Sequence, residues 1–326
     1  MNMLKSIVID GHFDLLIDVY EKRKKGRKGV ILTDHYEKFK KGGFNIIVSS
    51  LFIPDIYIPE MALRNALDQI SSLYLEIEES NGKIMLCKNL KDIKYAVDNN
   101  ILGIMLSFEG LEPIGNDIYL LRVFYELGVR FAGLVWSRRN YVADGCFFNE
   151  KLEGEKGGLT DFGVKVLKEL EKLGIIVDVS HLNDEGFWDV IEFSTKPIIA
   201  SHSNVRNIYP SMRNLTDDQI KAIAKTKGVI GINGSGSFVS DKDEENNAEG
   251  LVKHVDYISN LVGVEYVGIG FDFCDMFRNF HKDSLNGHHE LSLFIEVLEK
   301  HGYNDNEIKL ILGKNFLRVY KSVFDD

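Results

Sequence analysis

The chain has 326 residues, 44% of them apolar and 27% charged, a composition that excludes disorder, collagen-like repeats and coiled-coil rods. Its 39 Lys and Arg against 49 Asp and Glu give a net charge of −10. That argues against a nucleic-acid partner, because such binding depends mainly on cationic side chains neutralising phosphates.

No stretch approaches the roughly 18 uninterrupted apolar residues of a membrane span. The first apolar run is too short for a signal peptide and lacks a small-residue cleavage site. Cys87, Cys146 and Cys274 are an odd count at no metal-ligand spacing, so they read as free thiols in a reducing compartment. The expectation is a soluble, cytoplasmic protein with no membrane partner.

In chain order, short apolar and β-branched runs predict strands at Ser6–Ile9, Asn45–Phe52, Ile101–Ser107, Val129–Val135, Ile175–Val179, Pro197–Ala200, Val229–Ile232 and Tyr266–Ile269. Helical periodicity fills most of the gaps: Glu60–Glu79, Asp117–Leu127, Asp161–Leu173, Thr216–Lys227 and Ala248–Leu261. Lys83–Cys87 reads as a ninth strand or an excursion, and the basic run Glu21–Lys28 as a solvated face. Thr216 starts a capping box, and Asn304 or Asp305 caps a closing helix that extends to Phe324.

Strands buried on both faces and separated by amphipathic helices imply a parallel sheet. Eight such units fit a closed (β/α)8 TIM-type barrel of the metal-dependent hydrolase kind better than an open sheet. No linker interrupts the pattern, so residues 1–326 are expected to form a single domain.

Polar residues collect where the strand runs end, which in such a barrel is the catalytic rim. The first run meets Asp10-Gly11-His12-Phe13-Asp14, with His12 and Asp14 two apart and able to converge. The others end at Ser107-Phe108-Glu109-Gly110, Val179-Ser180-His181, Ser201-His202-Ser203 and Gly270-Phe271-Asp272-Phe273. Three histidines with two or three carboxylates form a mixed N/O ligand set without thiolate. It suits Zn2+, with Mn2+, Co2+ or Fe2+ as alternatives. Five protein ligands exceed one catalytic zinc with an open position, whereas two cations bridged by a carboxylate accommodate them.

These segments, together with Asp178-Val179-Ser180-His181, Ser201-His202-Ser203-Asn204 and Met212-Arg213-Asn214-Leu215-Thr216-Asp217, resemble the membrane (renal) dipeptidase family of dinuclear zinc peptidases over essentially the whole chain. The resemblance implies that His12 and Asp14 hold one zinc, that Glu109 bridges two, and that His181 and His202 hold the second. It also implies that Arg213 clamps the carboxylate of a dipeptide substrate, a task suited to a planar guanidinium, and that Asp272 handles protons and contacts the free amine. Tolerance of a D-residue at the C-terminal position and a homodimer are further implications.

Two departures stand out. Trp136 occupies the position of a family histidine that polarises the scissile carbonyl; Trp136 or Asn140 could instead donate to substrate or wall the site. Cys274 stands where the family often has Asp. Two other readings compete: another barrel hydrolase acting on cyclic amides, lactones or phosphoesters, and a non-catalytic small-ligand binder. Many hydrolases of the first kind need a carboxylated lysine on the fourth strand, which carries none here.

The remaining histidines, His35, His254, His281, His288, His289 and His301, read mostly as surface groups, with His288-His289 opening the eighth helix or lying near the rim, and Asp10 reads as either an orienter or a structural hydrogen-bonder. Asp178 has no evident role, and Gly231–Gly236 reads as a mobile rim loop.

Overall fold

The structure is a computed structural model that describes residues 7–146, 154–273 and 282–324. Cys274 and His281 therefore lie outside the described residues. Nine strands occur among those described: β1 (Ile9–Phe13), β2 (Ile46–Phe52), β3 (Ile84–Leu86), β4 (Leu102–Glu109), β5 (Val129–Gly133), β6 (Ile176–Asp178), β7 (Ile199–Ala200), β8 (Val229–Ile232) and β9 (Val267–Ile269). All pairings are parallel, and the eight principal strands run β1-β2-β4-β5-β6-β7-β8-β9. The ends of this row meet: Asp272 N–H donates to the His12 carbonyl (3.2 Å) and Phe271 N–H to Asp10 Oδ1 (3.0 Å). The expected (β/α)8 barrel is thus observed, nearly closed.

β3 pairs with residues 102–104 of β4, on a stretch that precedes the pairing of Leu106–Glu109 with β5. It is a short excursion beside the barrel, not an extra stave. The first strand starts and ends later than expected. The apolar run stops at Asp10, but the backbone stays extended to Phe13 because the polar side chains of Asp10 and His12 are taken up inside the barrel.

Helices cover the outside, with Asp161–Leu173 as expected and Ala62–Glu79, Asp217–Lys225 and Ala248–Val262 within a few residues. Thr216 caps its helix in a reciprocal box with Gln219, which satisfies two otherwise orphaned N–H groups. Asn304 does the same with Glu307. The basic run is solvated only in part: Arg23 pairs with Glu76 and Glu79, Lys22 with Asp18 and Asp34, and Arg27 with Asp34. Those acidic partners leave no simple cationic face.

Most of the apolar core lies between sheet and helices. A second cluster fills the barrel floor, where Ile9, Ile46, Val48, Met105, Phe131, Ile176, Ile199 and Val229 meet Phe316, Leu317 and Tyr320. The expected closing helix is two segments, Asp305–Lys309 and Asn315–Val323, broken by a wider turn at Leu310–Lys314. The second segment plugs the barrel. Gly11 and Gly268 are required beneath the site, since a Cβ added there would come within 2.4 and 2.5 Å of the Phe316 ring.

Candidate metal centre

The strand ends bring His12, Asp14, Glu109, His181, His202 and Asp272 to one point at the barrel mouth. His12 lies in β1 and Asp14 just beyond it, Glu109 closes β4, and His181, His202 and Asp272 follow β6, β7 and β9. His12 Nε2 is 3.5 Å from Asp14 Oδ1, 3.4 Å from Glu109 Oε2 and 3.8 Å from Asp272 Oδ1. On the other side of Glu109, its Oε1 is 3.1 Å from His181 Nε2, which is 3.0 Å from His202 Nε2. Three overlapping groups have ligand atoms within 4.8 Å of one another: His12–Asp14–Glu109, Glu109–His181–His202 and His12–His202–Asp272. Glu109 alone links the first two. His181 and Asp272 adopt positive φ (68° and 56°), a region non-glycine residues avoid and one that recurs at functional sites.

Packed together out of water, these groups shift one another's proton affinity. Burial, then the Asp14 carboxylate beside it, pushes the Glu109 carboxyl up to about 8. Burial chiefly raises Asp272 to about 6. Burial opposes a charge on His12, yet Glu109, Asp14 and Asp272 hold its proton affinity well above the ordinary value. Burial drives His181 and His202 well below theirs, with Arg213 and His12 adding repulsion.

Both ring nitrogens of His12 and Glu109 Oε2 are buried with no hydrogen-bond partner among the described residues. Buried polar atoms left without partners cost on the order of 1–3 kcal/mol each. A divalent cation would satisfy them, and N/O donors with no thiolate suit zinc and its neighbours. The residues present therefore fit a metal.

Neighbouring polar groups with no role assigned from the sequence hold the candidate ligands. Ser50 Oγ donates to Asp14 Oδ1, and Ser137 Oγ lies 2.9 Å from His181 Nδ1. Ser201 Oγ lies 2.7 Å from His202 Nδ1 and donates to Asp178 Oδ2. Asn233, directly after β8, donates to Asp272 Oδ2 (2.9 Å) and accepts from Ser235 N–H (2.7 Å). Its place at the end of an apolar strand was a usable signal, hidden by reading Gly231–Gly236 as a loop. That segment is packed: Gly234 lies against Phe271 and Phe273.

Arg213 is 3% exposed at the edge of the cluster. Nη1 donates to Ser203 Oγ (2.8 Å) and Nη2 to the His202 carbonyl (2.7 Å), while the buried Nε has no partner among the described residues. Trp136 is half-buried, with its ring 5.9 Å from His181, 5.4 Å from Phe52, and 5.1 Å from the Arg138 guanidinium. The structure does not bring Asn140 into the cluster. Its amide donates to the Leu134 carbonyl and accepts from Val142 and Ala143 N–H, so it shapes the loop after β5.

His35 and His254, expected at the surface, are buried instead, and His288, which opens the last barrel helix as expected, is buried too, each with a polar partner that makes burial tolerable. His35 pairs with Asp18 (2.8 Å) and His288 with Asp10 (2.6 Å). His254 accepts from Val205 N–H and donates to the Val239 carbonyl. Asp10 Oδ1 also accepts from His12 and Phe271 N–H, so Asp10 ties the barrel seam. Among the described residues no helix is long and apolar enough to cross a membrane.

Residues 2–325 match the family model of membrane dipeptidases, peptidase family M19. A protein from the pqqA 5′ region of Klebsiella pneumoniae is 32% identical over 260 residues, 78% of this chain and 95% of that protein. An uncharacterised dipeptidase of Schizosaccharomyces pombe is 31% identical over 236 residues, 72% of this chain and 56% of that protein. A metallopeptidase of Rhodobacter sphaeroides, solved with a phosphinate mimic of the dipeptide L-Ala-D-Ala, superimposes with a TM-score of 0.88 at 26% identity and covers 98% of this chain and 99% of its own.

Proposed function

The chain belongs to the membrane dipeptidase family, peptidase family M19, and from that premise we propose that it is a dinuclear zinc dipeptidase that hydrolyses the peptide bond of dipeptides, including those with a D-residue at the C-terminal position. The observation that carries this reading is Glu109, whose two oxygens face separate histidine groups within one buried cluster. The dipeptide mimic held by the Rhodobacter neighbour supports the substrate class.

In this reading His12 and Asp14 would hold one zinc, His181 and His202 the other, and Glu109 would serve both. When bound, the cations supply Lewis acidity, polarising the scissile carbonyl and lowering the pKa of water. The chain's own residues do the rest. Arg213 has a buried Nε–H and further guanidinium hydrogens left for a carboxylate. It captures the substrate's C-terminus, so a longer peptide, whose carboxylate lies farther from the scissile bond, is misplaced. Asp272 Oδ2 is anchored by Asn233, leaving Oδ1 toward His12 to accept a proton from attacking water and return it to the leaving nitrogen. Trp136 and Phe52 wall one side and exclude water.

Turnover of L,L and L,D dipeptides and of a tripeptide, with and without chelator, tests the reading. Dipeptides should be cleaved, the tripeptide not, and chelator should abolish cleavage. Comparable tripeptide cleavage, or indifference to chelator, refutes it.

A further inference from the structure

The metal-facing nitrogen of His202 is useful only if the ring's proton sits on its other nitrogen, and the structure contains a device that puts it there. Asp178, at the end of β6, is buried, and its Oδ1 accepts from the backbone N–H groups of Ser180 (3.0 Å) and Ser201 (2.9 Å). Its Oδ2 accepts from Ser201 Oγ. A carboxylate only accepts, so the Ser201 hydroxyl spends its one hydrogen on Asp178. The Ser201 oxygen, 2.7 Å from His202 Nδ1, must then accept from Nδ1–H, leaving the Nε2 lone pair toward His181 Nε2, 3.0 Å away, in the group that also contains Glu109.

His12 has no hydrogen-bond partner on either nitrogen among the described residues. Its ring instead stacks on His202, with centroids 3.6 Å apart and planes 21° from parallel.

We propose that Asp178 and Ser201 act jointly as positioning residues that fix the tautomer and orientation of His202, and that the stacked His202 ring in turn orients His12, so that one serine hydroxyl governs ligands on both sides of Glu109. Ser137, which meets only His181 among the ligand histidines, governs one side. The proposal rests on the ligand assignment of the preceding section. Outer partners of metal-bound histidines fix the ring and its tautomer, and their loss typically weakens metal binding by roughly 10–100-fold.

The discriminating variant is Asp178→Asn. Its carbonyl keeps the two backbone N–H groups, so its NH2 turns to Ser201 Oγ. Ser201, 2.7 Å from His202 Nδ1 against 3.4 Å from Ser180 Oγ, then donates to Nδ1, which moves the ring proton onto Nε2 with little change in shape.

The experiment has two readouts: ¹⁵N NMR of the histidine rings in the metal-free full chain, and zinc affinity by chelator competition. In the parent protein His202 should carry its proton on Nδ1. In Asp178→Asn it should carry it on Nε2, with zinc affinity reduced about 10–100-fold. Ser201→Ala should weaken both zinc-binding steps, and Ser137→Ala only one. An unchanged His202 tautomer in Asp178→Asn, or zinc affinity within twofold of the parent in Ser201→Ala, overturns the proposal. A Ser201→Ala loss confined to one step overturns the link to His12. Should Ser201→Ala fail to fold, the near-isosteric Asp178→Asn decides. A parent protein that binds no zinc sinks the dipeptidase reading instead, while the tautomer measurement still judges the relay.

Discussion

Arg213 gives the sharpest test of substrate recognition, because its side chain is already half committed. One hydrogen of Nη1 goes to Ser203 Oγ and one of Nη2 to the His202 carbonyl, while buried Nε–H has no partner among the described residues. Two N–H groups on one edge of the guanidinium can therefore meet a carboxylate side by side. A hydrogen bond involving a charged group contributes about 1.5–3 kcal/mol, so losing the pair costs about 3–6 kcal/mol. At 1.4 kcal/mol per tenfold, that corresponds to a fall in kcat/KM on the order of 10²–10⁴.

Arg213→Met also strips Ser203 and the His202 carbonyl of a donor, so its raw loss of activity would be ambiguous. The cleaner quantity is the ratio of kcat/KM for a free dipeptide to that for the same dipeptide amidated at its C-terminus. The parent enzyme should prefer the free acid by on the order of 10² or more, and the variant should show a ratio near unity. General damage to the site cancels in the ratio. A variant that keeps the parental preference refutes the carboxylate clamp.

Asp272→Asn should lower kcat by on the order of 10²–10⁴, the usual worth of a general acid–base, with zinc content by elemental analysis unchanged. His254 should make stability fall with acid. Burial chiefly lowers its pKa to about 4 from the ordinary 6.5, so between these values the unfolded chain takes up a proton that the native imidazole refuses. Urea unfolding should show a loss of about 2 kcal/mol between pH 7.5 and 5, and His254→Gln should remove that part of the slope. Phe316→Ala should cost about 3–5 kcal/mol in the same assay, the range for a buried aromatic removed from a packed core.

The frame of the fold was legible because parallel strands buried on both faces leave unbroken apolar runs, and His12, Glu109, His202 and Asp272 stood out by interrupting or ending them. β1 was placed too early for the same reason: its polar side chains are satisfied by groups that come from elsewhere in the chain. The partners of the candidate ligands were hidden in kind. Ser201 meets Asp178 23 residues away, and Asn233 meets Asp272 39 residues away, contacts that no local pattern encodes. Burial of His35, His254 and His288 depends likewise on Asp18, two backbone groups and Asp10. Arg213 emerged only through resemblance, since nothing about a lone arginine before a helix announces a ligand.

Asp10 reaches across 261 positions to Phe271, and the Phe316 ring packs beneath Gly11 and Gly268 on the two staves that this contact joins. Pairing between segments so far apart forms late in folding, because the entropy of closing the loop is spent before the contact rewards it. His12 and Asp272 therefore come together only when the seam closes, and the buried cluster is completed with the barrel rather than ahead of it.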